Sequence, residues 1–152
     1  MTERVDFYVL KSAAPKQRWI FACRLAEKAY LNDLKVLILQ DNLGDAKALD
    51  ELLWTFNERS FVPHELCLEE KFDPATPVHL GLDAGKLPAL DLLVNLTDRM
   101  PAGFDRFTRV AEIMDADPER LRLGRERFKS YRELKVAMDS HQIGQADEAA
   151  NP

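Results

Sequence analysis

Short apolar runs alternate with amphipathic stretches along the first third of the chain. Phe7-Tyr8-Val9-Leu10 is aromatic and β-branched, which predicts a buried strand. Pro15 suits a first helical turn, where its missing N–H costs nothing. Trp19, Ala22, Cys23, Ala26 and Tyr30 then recur at helical spacing. Val36-Leu37-Ile38-Leu39 predicts a second buried strand. Asp41 or Asn42 can cap the following helix, with Asp41 the favoured reading, and its apolar positions are Ala46, Leu49, Leu53 and Phe56. Strand and helix alternating in this way argue for a parallel sheet with right-handed crossovers.

From Ser60 to Lys86 the periodicity fades among Pro63, Pro74, Pro77, Gly81 and Gly85, and only Val78-His79-Leu80 reads as a short strand. Leu90 to Leu96 predicts a third strong strand, and Phe107 to Met114 a further one between turn signals. Asp117-Pro118 marks a helix start, with Asp as cap and Pro at the first helical position, and that helix is expected to run to about Met138. Its apolar face is read as Leu121, Leu134 and Met138, with Tyr131 at the edge. Residues 139–152 are polar, small and acidic, which predicts a disordered tail. The expected organisation is one α/β domain over 1–138, a mostly parallel, Rossmann-like sheet flanked by helices, ending in a basic helix.

The chain has 152 residues, a length that fits a single domain. Lys and Arg number 21 against 26 Asp and Glu, a net charge of -5, which argues against a general nucleic-acid coat. Two cysteines fit a reducing cytoplasm rather than a disulfide scaffold. No apolar run approaches the ~18 residues of a membrane span, and the charged start, Met1 to Asp6, has no apolar signal region, so a cytoplasmic protein is expected. The first strand-to-helix turn, Lys11-Ser12-Ala13-Ala14-Pro15, lacks the glycines of a phosphate cradle, so no nucleotide cofactor is expected. Among Cys23, His64, Cys67 and His79 only His64 and Cys67 are close-spaced, too few for a zinc site. Cys23 reads as core, and His64 as a loop histidine with local hydrogen bonds. No catalytic constellation stands out.

Two features carry a signal. Pro118 to Lys135 holds Arg120, Arg122, Arg125, Arg127, Lys129, Arg132 and Lys135 against Glu119, Glu126 and Glu133, a net +4 segment on an acidic protein. At helical spacing Arg125, Phe128, Lys129 and Arg132 share one face. Such a face suits an acidic peptide ending in an aromatic residue and a free carboxylate, because Arg forks onto the carboxylate and the ring forms an apolar slot. A solvated helix face complementing the dipole is the plain alternative, and Phe128 could be core. The second feature is Trp54 and Phe61, which bracket a helix end and a Pro-stiffened loop. They suit interface anchors if exposed, and core if not.

These blocks also resemble a known family. Phe7-Tyr8, Ala26-Glu27-Lys28-Ala29-Tyr30, Leu49-Asp50-Glu51-Leu52-Leu53-Trp54, Ser60-Phe61-Val62-Pro63-His64-Glu65-Leu66 and Arg125-Glu126-Arg127-Phe128-Lys129-Ser130-Tyr131-Arg132 are similar to the chi subunits of bacterial DNA polymerase III holoenzymes, in consistent order over roughly residues 3 to 135. The resemblance implies a non-catalytic accessory subunit of the clamp-loader assembly. It implies one surface for the acidic, Phe-ending tail of single-stranded-DNA-binding protein and another for the psi subunit, which in some bacteria a repair helicase competes for. DNA is then reached only indirectly. Carried over residue by residue, the tail site is Arg125, Phe128 (tyrosine in many members), Lys129 and the neighbouring Arg132, and the psi or helicase site is Trp54 and Phe61. Direct nucleic-acid binding through the basic helix, or a small enzyme using His64, are the rival readings.

Overall fold

The aromatic run near the start forms strand β1 (Arg4–Leu10), and the apolar quartet after the first helix forms β2 (Val36–Leu39). Between them α1 (Pro15–Leu31) opens on its proline and buries Phe21, Cys23, Leu25 and Ala26. Then come α2 (Leu43–Thr55), β3 (His64–Leu66), β4 (Val78–Gly81), β5 (Leu92–Asn95), β6 (Arg109–Met114), α3 (Pro118–Glu133) and β7 (Met138–Ile143). The structure, a computed structural model, describes residues 2–67, 72–88 and 90–144. Among the described residues the seven strands form one sheet in the order β3-β4-β2-β5-β6-β1-β7. Each neighbouring pair is parallel, so the expected α/β architecture is the one adopted.

Successive strand residues point to opposite faces, and each face has its own core. On one, Leu10, Ile38, Val94 and Ile113 pack with Phe21 and Ala26 of α1 and Leu49 and Leu53 of α2. On the other, Phe7, Leu39, Leu93 and Val110 pack with Phe107, Met114 and the Tyr131 ring of α3. Gly124 lets α3 ride close to β6, since a Cβ there would overlap the Met114 thioether. Cys23 and Cys67 are both buried, one in each core, and burial pushes the Cys23 thiol up to about 12.

Four expectations change. Asn42, not Asp41, caps α2, its side chain accepting from the Asp45 N–H at 2.8 Å. His64–Leu66 is a strand, concealed in the sequence by its His and Glu, and it pairs with β4. Helix α3 stops at Glu133, not Met138, because Lys135 takes a left-handed conformation (φ 61°). The Lys135 N–H then bonds Arg132 O at 3.0 Å and the Val136 N–H bonds Tyr131 O at 3.2 Å, closing the helix end. Finally, Asp139–Ile143, expected to begin a disordered tail, runs in register with Asp6 to Leu10 of β1. The boundary at 138 therefore falls inside a strand. β7 is an edge strand with little of its surface buried, so its sequence carries no apolar alternation; residues 145–152 of that expected tail lie outside the described residues.

Candidate docking surfaces

Strand β6 places a carboxylate, Glu112, in the core beneath α3, where it is fully buried. It accepts from Arg127 Nε at 3.1 Å, from Tyr131 Oη at 2.8 Å and from Asn95 Nδ2 at 3.0 Å. Burial pushes the Glu112 carboxyl above its ordinary range, against the Arg127 charge and these hydrogen bonds, which pull it down. Burial, and then the Glu112 charge, push the Tyr131 phenol upward. The fully buried face of α3 is thus Gly124, Arg127 and Tyr131, with Leu121 partly buried against the same core. Leu134 is exposed, and Met138 belongs to β7. The clue in the sequence was Glu112 itself, a lone acid in the apolar run Val110 to Met114 that demands a cation.

This network and two further pairs reduce the free charge of α3. Arg120 makes a two-pronged bridge to the buried Asp115, at 2.9 and 2.8 Å, which holds its guanidinium above the ordinary arginine value. Arg122 pairs with Glu119 and Glu126 on the surface. What remains is the set singled out from the sequence. Arg125, Lys129 and Arg132 are exposed, and among the described residues none of them makes an ion pair or a side-chain hydrogen bond. Phe128 lies between them, half-buried, edge-on to Phe7 with ring centroids 5.2 Å apart. Because Arg127 binds one flank of α3 to β6, helical geometry turns the flank with Arg125, Phe128 and Arg132 the other way, and Phe128 meets Phe7 of β1 there.

Trp54 closes α2, and Phe61 follows in the connection to β3. Both are exposed, Trp54 by 50% and Phe61 by 65%, so neither is core. Their ring centroids lie 5.5 Å apart, and Trp54 rests on the His64 ring at 4.4 Å. The His64 side chain is fully buried, its nitrogens facing Val62 O at 2.6 Å and Asp50 O at 3.0 Å. It is a pedestal for the tryptophan. Ser60 donates to Glu27 of α1 and ties down the residue before Phe61. The two surfaces therefore lie on opposite faces of the sheet and toward its two ends, α2 beside β3 and α3 over β6 and β1.

The carboxyl ends of the strands, where open α/β sheets hold ligands, are filled by the chain itself. The buried Arg18 donates to Ile113 O at 2.8 Å and Leu96 O at 2.9 Å. Asp41 pairs with Arg99 at 2.6 Å, and Arg99 also donates to Leu82 O at 3.0 Å. His79 is buried and bonds Glu65 at 2.8 Å. Among the described residues no three His, Cys, Asp or Glu side chains converge as metal ligands, and no helix is long and apolar enough to cross a membrane.

Residues 1–139 match the family model described as DNA polymerase III chi subunit, HolC. The chain is 39% identical over 140 residues to the DNA polymerase III subunit chi of Pseudomonas aeruginosa, covering 92% of this chain and 96% of that one. It is 32% identical over 145 residues to the subunit of the same name from Haemophilus influenzae, covering 95% of this chain and all of that one. Among solved structures, a chain of an S. cerevisiae Dbp5 complex superposes with a TM-score of 0.60 at 9% identity. That match covers 96% of this chain and 42% of the other, and it shows the fold alone.

Proposed function

Because the chain belongs to the DNA polymerase III chi subunit family, accessory subunits of the replicative holoenzyme, we propose that it works in the cytoplasm as a two-sided, non-catalytic adaptor. Its α3 ridge docks the acidic C-terminal tail of single-stranded-DNA-binding protein. Trp54 and Phe61 dock the psi subunit of the clamp loader, or a repair helicase competing for the same place.

The observation that carries the reading is the exposed trio Arg125, Lys129 and Arg132 around a half-buried ring, on a helix whose other cations are already paired. Cations capture the acids and terminal carboxylate of the tail, and the Phe128 ring keeps water from the slot. Exposed charges are screened by salt, so binding weakens as ionic strength rises.

Calorimetry with a synthetic acidic peptide ending in phenylalanine tests the ridge. Arg125→Ala lowers affinity by about tenfold or more, the scale of a charge-assisted anchor. The same peptide without its terminal phenylalanine does not bind. Unchanged affinity on both counts overturns the reading. Fluorescence anisotropy with single-stranded DNA alone addresses the direct-binding rival, for which the acidic net charge of the chain is unfavourable.

A further inference from the structure

The sheet edge next to α3 is unused by the reading above. Among the described residues β7 pairs on one side only, with β1. Val5 donates its N–H to Ala137 O at 2.9 Å. In a parallel ladder alternate residues bond to alternate sides. Residues 139, 141 and 143 therefore turn their backbone groups to β1, and Met138, Ser140 and Gln142 turn theirs outward. Six residues make a long edge to leave open, and such edges are usually guarded by charge, proline or a bulge. The charged side chains of β7 do not guard the α3 side. Asp139 lies 3.6 Å from Arg4, and His141 lies 3.0 Å from Asp6, on the opposite face. Toward α3 the strand shows Met138, Ser140 and Gln142, in register with Val5, Phe7 and Val9. On α3, Phe128 packs edge-on against Phe7 of β1, the strand next to β7, and Arg125 and Arg132 share its flank of the helix.

We propose that an extended acidic peptide adds to β7 as an eighth strand, with alternate acidic side chains rising to Arg125, Lys129 and Arg132. The inference rests on the tail-docking reading and specifies how the tail is held. An added strand lies about 4.8 Å beyond β7, under the cationic flank. Main-chain bonds to Ser140 and Gln142 supply attraction that salt does not screen, and the alternation of the strand sorts acids to one side. Charge complementarity selects the occupant: three exposed cations surround Phe128, which packs on the neighbouring strand β1, and the β7 residues on that face, Met138, Ser140 and Gln142, include no acid.

The test uses the full chain and the same synthetic peptide. Proline at 140 removes an outward N–H and leaves the ladder to β1 intact, as edge strands tolerate. Ser140→Pro weakens peptide binding by about tenfold, the scale of a lost main-chain hydrogen bond with its neighbours disturbed, and Ser140→Ala leaves it unchanged. Hydrogen exchange on the wild type, read in parallel, shows the Ser140 and Gln142 amides slowed on saturation with peptide, which decides the matter even if the proline variant does not fold. If the wild type binds no peptide, the docking reading itself falls and this inference with it. If Arg125→Ala weakens binding while both amides exchange at unchanged rates, strand addition is overturned and the ridge stands. A concentration-dependent dimer that protects those amides without peptide overturns it in favour of a second copy of the chain.

Discussion

A single carboxylate decides how α3 sits. The neighbours of Glu112 in β6, Val110, Ala111, Ile113 and Met114, are all apolar and buried. Among the described residues the only cation within ion-pair distance is Arg127 at 3.1 Å. Removing one partner of such a pair leaves an uncompensated buried charge, at about 3–5 kcal/mol. Arg127→Met is expected to lose stability on that scale at pH 8, in urea unfolding. The sign of the pH dependence follows from the direction of the Glu112 shift. Its carboxyl already stands above the ordinary value through burial, and loss of the Arg127 charge raises it further. A folded state that takes up a proton more readily than the unfolded chain gains stability as pH falls. The deficit of the variant relative to wild type therefore shrinks between pH 8 and about 5, by at most about 1.4 kcal/mol per pH unit. A deficit independent of pH over that range contradicts the role given to Glu112. The companion change Arg125→Ala touches no buried partner and leaves stability unaltered, so fold and docking separate on one helix.

At the scale of elements, both α1 and α3 end in a left-handed residue that is not glycine, Asp33 and Lys135, each with φ 61°. In each, its own N–H and that of the next residue fold back onto the last turn, Asp33 to Tyr30 O and Leu34 to Ala29 O in one, Lys135 to Arg132 O and Val136 to Tyr131 O in the other. Left-handed backbone costs an L residue roughly 1–2 kcal/mol, less for Asp, whose short side chain tolerates it. Lys135→Gly is expected to stabilise the chain by about 0.5–1 kcal/mol, raising the melting temperature by a few degrees in calorimetry; a lowered melting temperature refutes the cap. The same lysine explains what the sequence concealed. Strands β1, β2, β5 and β6 and the starts of α1 and α3 were legible because burial on two faces and Pro at N1 leave plain marks. The end of α3 carried no Gly or Asn, so the helix read on toward Met138. β3 and β7 are edge strands, half solvated, and edge strands need no apolar alternation. The ridge was legible as a spacing of cations, but not that Arg120 and Arg127 are spent on Asp115 and Glu112, because pairing between α3 and the end of β6 depends on which helix face is buried.

For the molecule as a whole, the two exposed surfaces lie near opposite edges of one parallel sheet. Trp54 and Phe61 flank β3, and Phe128 of the α3 ridge packs on Phe7 of β1, five strand spacings away, roughly 24 Å at about 4.8 Å each. No side chain is shared between them, and the intervening strands β4, β2, β5 and β6 are buried on both faces. Sites so far apart, with no common partner, are expected to act additively within a few tenths of a kcal/mol. On the proposed reading the two surfaces hold two proteins at once and need no change of shape. Capture from cell extract on immobilised wild type, Arg125→Ala and Phe61→Ala checks this. Arg125→Ala is expected to lose single-stranded-DNA-binding protein and keep psi or the helicase, and Phe61→Ala the reverse. The double variant loses both, and in calorimetry its affinity for the acidic peptide equals that of Arg125→Ala alone. If either single substitution, in a protein that still melts like wild type, removes both sets of partners, the two surfaces are coupled through the sheet and the adaptor does not act as two independent hands.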